Sequence, residues 1–353
     1  MSSGARTGHP YHMHDAIYAQ PGALRLLTRG QEATLSAAAE RMRQAPHVWL
    51  AGSGSSWHAA LVGELLLAQV GGLGRRARAV PAFDLVEYWP DTEDTAVVAI
   101  THRGDRHAGA ALTRARAAGG ATVAIIGKAV QLTADHTLRT VEQETSACHT
   151  VSYTSALAML AALAAAIGRD GDAAHQLEAL PDLVAMLLGQ EAWEELAARF
   201  GGRRRYWFVG GGPNAATAYE AALKLSEAAW MPAAGLACEQ FLHGPWAALE
   251  PADVVVLIAP PGPSHARCLD VARVAAEIGA PVVALVAEDD REIGPLAAET
   301  IALPPVPELL SPIVAVVPLQ LLTYHLAVKA GANPDAMRAE QAGHGRARAA
   351  LAP

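Results

Sequence analysis

Residues 47–57 read HVWLAGSGSSW: an apolar run that stops at a glycine, a turn of glycines and serines, and the start of an alanine- and leucine-rich stretch reaching Val70. A short apolar run bounded by small turn residues reads as a buried strand, and the stretch behind it is long enough for a helix. The pattern continues downstream. Thr95–Ile100 runs into Thr101-His102-Arg103-Gly104-Asp105-Arg106 and a helix to Ala118. Ala121–Ile126 ends at Gly127, a weaker strand covers His136–Val141, and a long apolar helix occupies Val151 to Ile167. Strands alternating with helices of this length imply βαβ units and a parallel sheet.

About 160 residues later the same order returns. Tyr206–Val209 opens into Gly210-Gly211-Gly212-Pro213-Asn214, and Asp253–Ala259 opens into Pro260-Pro261-Gly262-Pro263-Ser264. Gly279–Ala287 (GAPVVALVA) echoes Gly120–Gly127 (GATVAIIG), Thr300–Leu303 stands in for the weak fourth strand, and Ile313–Ala330 for the closing helix. The chain therefore reads as two copies of a doubly wound α/β domain, over 41–180 and 195–335. A helical stretch, Asp170 to Arg204, joins them; a helical lead-in covers 1–40 and a polar tail 336–353.

Bulk properties narrow the class. A length of 353 residues favours two domains, at about 150 residues each. Lysine and arginine total 27 against 35 acidic residues, a formal charge of −8, which argues against a general nucleic-acid binder. Hydrophobic residues at 52% exclude disorder. The longest purely apolar run, Ala156 to Ile167, has 12 residues, short of the roughly 20 that span a bilayer. The N-terminus has no apolar signal region, and Cys148, Cys238 and Cys268 are scattered without metal-type spacing. The expectation is a cytoplasmic protein that binds no nucleic acid, membrane, metal or cofactor.

In open parallel sheets, ligands bind on the loops at the carboxyl ends of the strands, here 52–56, 101–106, 144–150, 210–214 and 260–264. The serines and glycines of GSGSS suit an anion at a helix N-terminus, and read equally well as ordinary helix caps. The loop is no dinucleotide fingerprint, because Trp57 stands where the third glycine should be; GGGPN fails through Pro213 and Ala215. In the helix 215–230, Glu220, Lys224 and Glu227 recur at i, i+4 and i+7 and share one face. Such a face is ordinarily a solvated, salt-bridged one. Against that stands the segment CEQFLHGP at 238–245, which fixes His243 before Gly-Pro. A carboxylate, a lysine and a histidine together suit proton transfer next to a carbonyl.

Four segments carry a resemblance: HMHDAIYAQP at 12–21, LAGSGSSW at 50–57, the ALKLSE and LHGP of 219–245, and VPLQLLTYHLAVK at 317–329. Together they resemble the double SIS (sugar isomerase) domain family, most of all the isomerase part of glucosamine-6-phosphate synthase and stand-alone sugar-phosphate isomerases and deaminases. The likeness runs from about residue 10 to about 340. It implies two tandem domains, each a flavodoxin-like, doubly wound, parallel five-stranded sheet flanked by helices. It implies that Glu227 moves a proton between C1 and C2 of an open-chain sugar, that His243 opens the ring, and that Lys224 stabilises developing charge. It further implies a homodimer in which His243 is shared across the interface. A base working near neutral pH needs a raised pKa, which partial burial can supply.

Three departures qualify the resemblance. The chain opens where the isomerase part opens, with Ser2 after Met1, so no glutaminase domain and no glutamine-dependent amination are expected. The tail lysine of the family, counted from Arg338, is Ala342. The Ser-rich phosphate loop of the family is here Thr101–Arg106, with two arginines and a histidine, and His149 replaces a serine in 144–150. Arginine makes bidentate contacts to phosphate, sulfonate or carboxylate. A decayed, solvent-facing loop and a metal site of His58, His102 and His149 are the alternatives. The expected substrate is an anionic sugar, held by Gly54, Ser55, Ser56, Thr101, His102, Arg103, Arg106, His149 and Thr150. PPGPS, poor in N–H groups, reads as an anion loop lost from the second domain. Aldose–ketose isomerisation is the leading reaction; an amine-releasing deaminase or deglycase and a non-catalytic sugar-phosphate sensor are its rivals.

Overall fold

The computed structural model describes residues 4–89, 95–190 and 192–351; Met1, Ser2 and the last two residues of the tail lie outside the described residues. The first sheet comprises β1 (His47–Gly52), β2 (Ala77–Pro81), β3 (Thr95–Thr101), β4 (Thr122–Ile126) and β5 (His136–Arg139), in the order β2-β1-β3-β4-β5. The second comprises β6 (Tyr206–Gly210), β7 (Ala233–Ala237), β8 (Val254–Ile258), β9 (Val282–Ala287) and β10 (Glu299–Leu303), in the order β10-β9-β8-β6-β7. All pairings are parallel. Read from its other edge, the second sheet repeats the first, and both have the flavodoxin-like order 2-1-3-4-5.

Five strands per sheet accord with the fold class, although β2 and β7 carry no recognisable strand signal. Their sequences, ARAVP and AAGLA, hold one β-branched residue between them, and both are edge strands. The strand β7 exists because helix Asn214–Ala228 lies close against it: a Cβ on Gly235 would stand 2.6 Å from the Ala218 carbonyl oxygen. The interior strands β3, β4, β6 and β8 are buried at every position, as expected of parallel strands covered on both faces. The β5 edge is closed by a side chain. Gln31 accepts the Arg139 N–H at 2.6 Å and donates to the Arg139 carbonyl at 2.9 Å, taking the place of a sixth strand.

Contacts divide the chain into two units. The first unit, 19–144 and 151–182, contains the first sheet; the second contains the second sheet, the chain up to residue 18, the segment 145–150 and the chain from 183 on. This departs from a simple cut between 180 and 195 in two places. The lead-in splits at 18/19, because helix His12–Tyr18 starts on a partner far along the sequence: the His12 and Met13 N–H groups donate to the Asp335 carboxylate at 2.8 and 2.9 Å. The segment 145–150 belongs with the second sheet, where the Ala147 N–H meets the Asp335 carbonyl at 2.9 Å. Two helices, Val151–Gly168 and Ser311–Lys329, are by length and composition able to cross a membrane, contrary to the count of purely apolar residues; 89% of each window is buried inside the molecule, the environment of a core helix.

Candidate active site

In the second unit the shared face of helix Asn214–Ala228 is buried. Glu220 is 0% and Lys224 2% exposed, which overturns the ordinary reading of a solvated face. Alanines at 218, 221, 222 and 228 let the helix sink among its neighbours, and the long polar residues go with it. Lys224 Nζ donates to Glu227 Oε2 at 2.5 Å and stands 3.5 Å from Glu220 Oε1. Burial works against the ammonium charge, but Glu227 and Glu220 outweigh it and raise the Lys224 pKa above its ordinary value. A raised folded pKa means that the pairing stabilises fully at neutral pH and is lost only as pH rises through the folded value, beyond about 10.4. Glu227, whose side chain keeps 17% exposure, is the member of the trio that a ligand can reach.

His243 is elsewhere in this unit. It follows helix Cys238–Leu242, its side chain is 72% exposed, and its Nδ1 bonds the Glu239 carbonyl at 2.7 Å. Among the described residues no hydrogen bond or ion pair links it to Lys224 or Glu227. Its helix is clamped to helix His265–Ile278 twice. Arg267 holds both Glu239 oxygens, at 2.5 and 3.0 Å, and the unbridged Cys238 and Cys268 sulfurs lie 3.5 Å apart. Cys148, the third cysteine, is also buried and forms no disulfide.

In the first unit, the N-termini of the helices that follow β1, β3 and β5 differ. Helix Arg106–Ala117 is capped by Asp105, whose carboxylate accepts the His107 and Ala108 N–H groups at 2.9 and 3.0 Å. Helix Val151–Gly168 receives the buried Glu144 carboxylate, which accepts from the Ser152 N–H at 2.9 Å and hydroxyl at 2.5 Å. Helix Ser55–Gln69 begins at Gly54, with φ of +56°, and takes no side-chain cap. The N-cap position is therefore a glycine and not one of the serines of GSGSS. Together β1 and β3 flank the point where the sheet changes winding direction, the usual place for a ligand in such sheets.

The loop after β3 is engaged with itself. Thr101 is buried and its Oγ1 accepts the Gly104 and Asp105 N–H groups at 3.1 and 2.9 Å. His102 Nε2 accepts the Glu144 N–H at 3.2 Å, so its proton is on Nδ1. The Arg103 guanidinium reaches the Glu144 carbonyl at 3.5 Å. Arg103 and Arg106 are exposed, whereas the hydroxyl and imidazole expected to contact a ligand shape the loop from within. His149 and Thr150, in 145–150, go with the second unit; Thr150 is buried and its carbonyl accepts from Gln320 Nε2 at 3.5 Å. Among the described residues no three His, Cys, Asp or Glu side chains are placed to hold a metal ion.

His102 gives a pH prediction. Burial pushes its imidazole below the ordinary 6.5, with Glu144 pulling the other way. A depressed folded pKa means that its contribution to stability is present above about pH 6.5 and lost as pH falls through the folded value. The unfolding midpoint is expected to drop as pH falls below about 6.5, and His102→Gln, which can still accept the Glu144 N–H, to shrink that drop. Parallel midpoint-versus-pH curves for the two proteins would show that His102 does not titrate in this way.

The corresponding loops of the second unit are closed. Ser264 donates its hydroxyl to Glu308, which also accepts the Ser264 N–H at 3.3 Å. A Cβ on Gly262 would stand 2.6 Å from the Glu308 carboxyl carbon. Asn214 is buried and donates to Ser311 Oγ at 2.7 Å. A carboxylate of the chain itself thus sits where the sequence showed only prolines. Asp105, Glu144 and Glu308 all escaped the sequence reading. Only Asp105, directly before a helical run, had a recognisable cap signal.

Comparison with known proteins adds an independent line. The SIS domain model matches residues 202–330. The glutamine–fructose-6-phosphate aminotransferase (isomerizing) of Thermococcus kodakarensis is 34% identical over 94% of this chain, which spans 58% of that relative's length. Two solved structures share the fold. The C-terminal domain of glucosamine-fructose-6-phosphate aminotransferase from Francisella tularensis has a TM-score of 0.82 at 19% identity, over 94% of this chain and 99% of its own. The tagatose-6-phosphate ketose/aldose isomerase of Escherichia coli has 0.80 at 19% identity, over 96% and 98%.

Proposed function

Since this chain belongs to the SIS-domain family, we propose that it interconverts the aldose and ketose forms of an anionic sugar by moving a proton between C1 and C2. The observation that carries the proposal is the Lys224–Glu227 pair, a partly accessible carboxylate held at 2.5 Å by a buried ammonium. In the forward direction the Glu227 carboxylate takes the proton from C2 of the open-chain aldose. The electron pair left behind forms the C1–C2 double bond of a cis-enediol while O1 takes a proton from solvent water. Glu227 then returns its proton to C1 as O2 gives its own proton to solvent water, leaving the ketose. Lys224, kept charged by two carboxylates, offsets the negative charge that develops on the sugar oxygens. His243, exposed and apart from the trio, suits ring opening in the site of a second copy of the chain, which makes a homodimer part of the proposal.

The anionic end of the sugar is assigned to the guanidinium groups of Arg103 and Arg106 and to Gly54, Ser55 and Ser56 at the start of helix Ser55–Gln69. Thr101 and His102 hold the arginine loop in shape. His149 and Thr150 remain candidates for contacts to the sugar. Two guanidinium groups accept phosphate, sulfonate or carboxylate alike, so the anion is left to experiment. Arg103→Ala and Arg106→Ala should each raise KM by about 10- to 100-fold, the loss of a charge-assisted hydrogen bond, with kcat nearly unchanged. Equal falls in kcat and kcat/KM for both variants would contradict this assignment.

The test of the reaction is proton NMR in D₂O with sugar 6-phosphates, a 6-sulfonate, uronates and neutral sugars. Deuterium washout at C2 with one anionic class supports the isomerase and names the anion. Washout accompanied by ammonia release from an amino sugar replaces it with a deaminase. Binding without washout for any sugar overturns the enzyme reading in favour of a sensor.

A further inference from the structure

The first unit contains two adjoining cavities whose linings include no residue of loops 52–56 or 101–106. One is a cleft of about 670 Å³ among helices Gln20–Leu26, Glu32–Gln44, Val151–Gly168 and Gly171–Leu188. Its floor is Ala158, Ala162 and Ala165, one face of helix Val151–Gly168, and its walls include Leu24, Leu35 and Leu177. Alanines where larger residues would close the gap leave an apolar trough, and Pro181, inside helix Gly171–Leu188, removes the N–H that would bond the Leu177 carbonyl. Three arginines and three acidic residues border the cleft, so it selects for apolar shape and not for charge.

The other cavity, of about 490 Å³, shares Leu27 and Arg29 with the first and supplies the charge. Arg29, Lys128 and Arg139 line it, and no acidic residue does. Arg139 is fixed in advance: its Nη1 donates to the Gly127 and Lys128 carbonyls at 3.2 and 3.0 Å and also to that of Val130, and its backbone is held by Gln31. Lys128 has an exposed pairing with Glu142 at 3.5 Å, which water screens strongly. Arg29 is exposed and makes no ion pair among the described residues. An apolar trough opening onto a cationic cavity, each within the size range of small-molecule sites, has the complementary form of one kind of molecule. We propose that this pair of cavities binds an anionic amphiphile, with an acyl or alkyl body along the alanine floor and a phosphate or carboxylate head at Arg29 and Arg139. The proposal does not depend on the isomerase reading.

Decyl phosphate, kept below its micellar concentration, is the probe, titrated calorimetrically into the full chain. Saturable binding at one equivalent is expected, weakened about tenfold by Arg29→Ala through loss of a charge-assisted contact and abolished by Ala162→Trp, which fills the trough. Decanol and inorganic phosphate, each carrying half of the recognition, should bind at least about tenfold more weakly. Circular dichroism establishes that Ala162→Trp is folded, and if it is not, Arg29→Ala decides alone. Three outcomes would overturn the proposal: no saturable binding, equal affinity for wild type and Arg29→Ala, or displacement of decyl phosphate by a sugar phosphate. A change of oligomeric state in Ala162→Trp, with no decyl phosphate binding to wild type, would assign the trough to a second copy of the chain instead.

Discussion

Glu227→Gln is expected to reduce C2 deuterium washout by about 10³-fold or more, within the 10²–10⁴ that a positioned general base contributes. The substitution keeps the shape of the side chain and an oxygen to accept from Lys224 Nζ, which lies 2.5 Å from Glu227 Oε2 in the native protein. Lys224 also keeps Glu220 at 3.5 Å, so no buried cation is stranded and the fold should change by less than about 1 kcal/mol. Loss of exchange with an unchanged unfolding midpoint therefore reports on chemistry. Washout within tenfold of wild type would remove Glu227 from the role of base.

Lys224→Met should cost both activity and stability. The native ammonium is 2% exposed and neighbours a carboxylate that is 0% exposed. Removing it leaves Glu220 buried without its counter-charge, a change that typically costs about 3–5 kcal/mol. The double variant Lys224→Met/Glu220→Leu removes the stranded charge along with its partner and should recover most of the lost stability, because replacing both members of a buried pair by apolar groups is often close to neutral. It should not recover washout. Chemical unfolding of wild type, single and double variants separates these outcomes, and a single variant as stable as wild type would show that Glu220 is not held charged by Lys224.

Much of the fold is legible because parallel sheets buried on both faces need continuous apolar runs, and such runs stop where the chain turns. Where that requirement relaxes, at the edge strands β2 and β7, the sequence turns to alanine and the strands vanish from view. The site divides along a similar line. The i, i+4, i+7 spacing of Glu220, Lys224 and Glu227 is visible because helix geometry fixes it. The burial of that face depends on how closely small residues let other elements approach, and no spacing records this. Contacts between distant residues are equally silent. Glu144 reaches Ser152 and His102, and the histidines of HPYHMH at 9–14 dock onto residues far along the chain. His9 bonds the Tyr324 hydroxyl at 2.7 Å, and His12 is only 9% exposed.

Glu308 gives the internal repeat a particular meaning. The two sheets share strand order and loop positions, and at one pair of corresponding helices each copy supplies a carboxylate. Asp105 accepts the His107 and Ala108 N–H groups in front of helix Arg106–Ala117, while Glu308 accepts from Ser264 in front of helix His265–Ile278. In the first copy the counter-ion is the residue next to the helix; in the second it comes from 44 residues along the chain. The duplication keeps a negative charge at that place in both copies while drawing it from different parts of the chain.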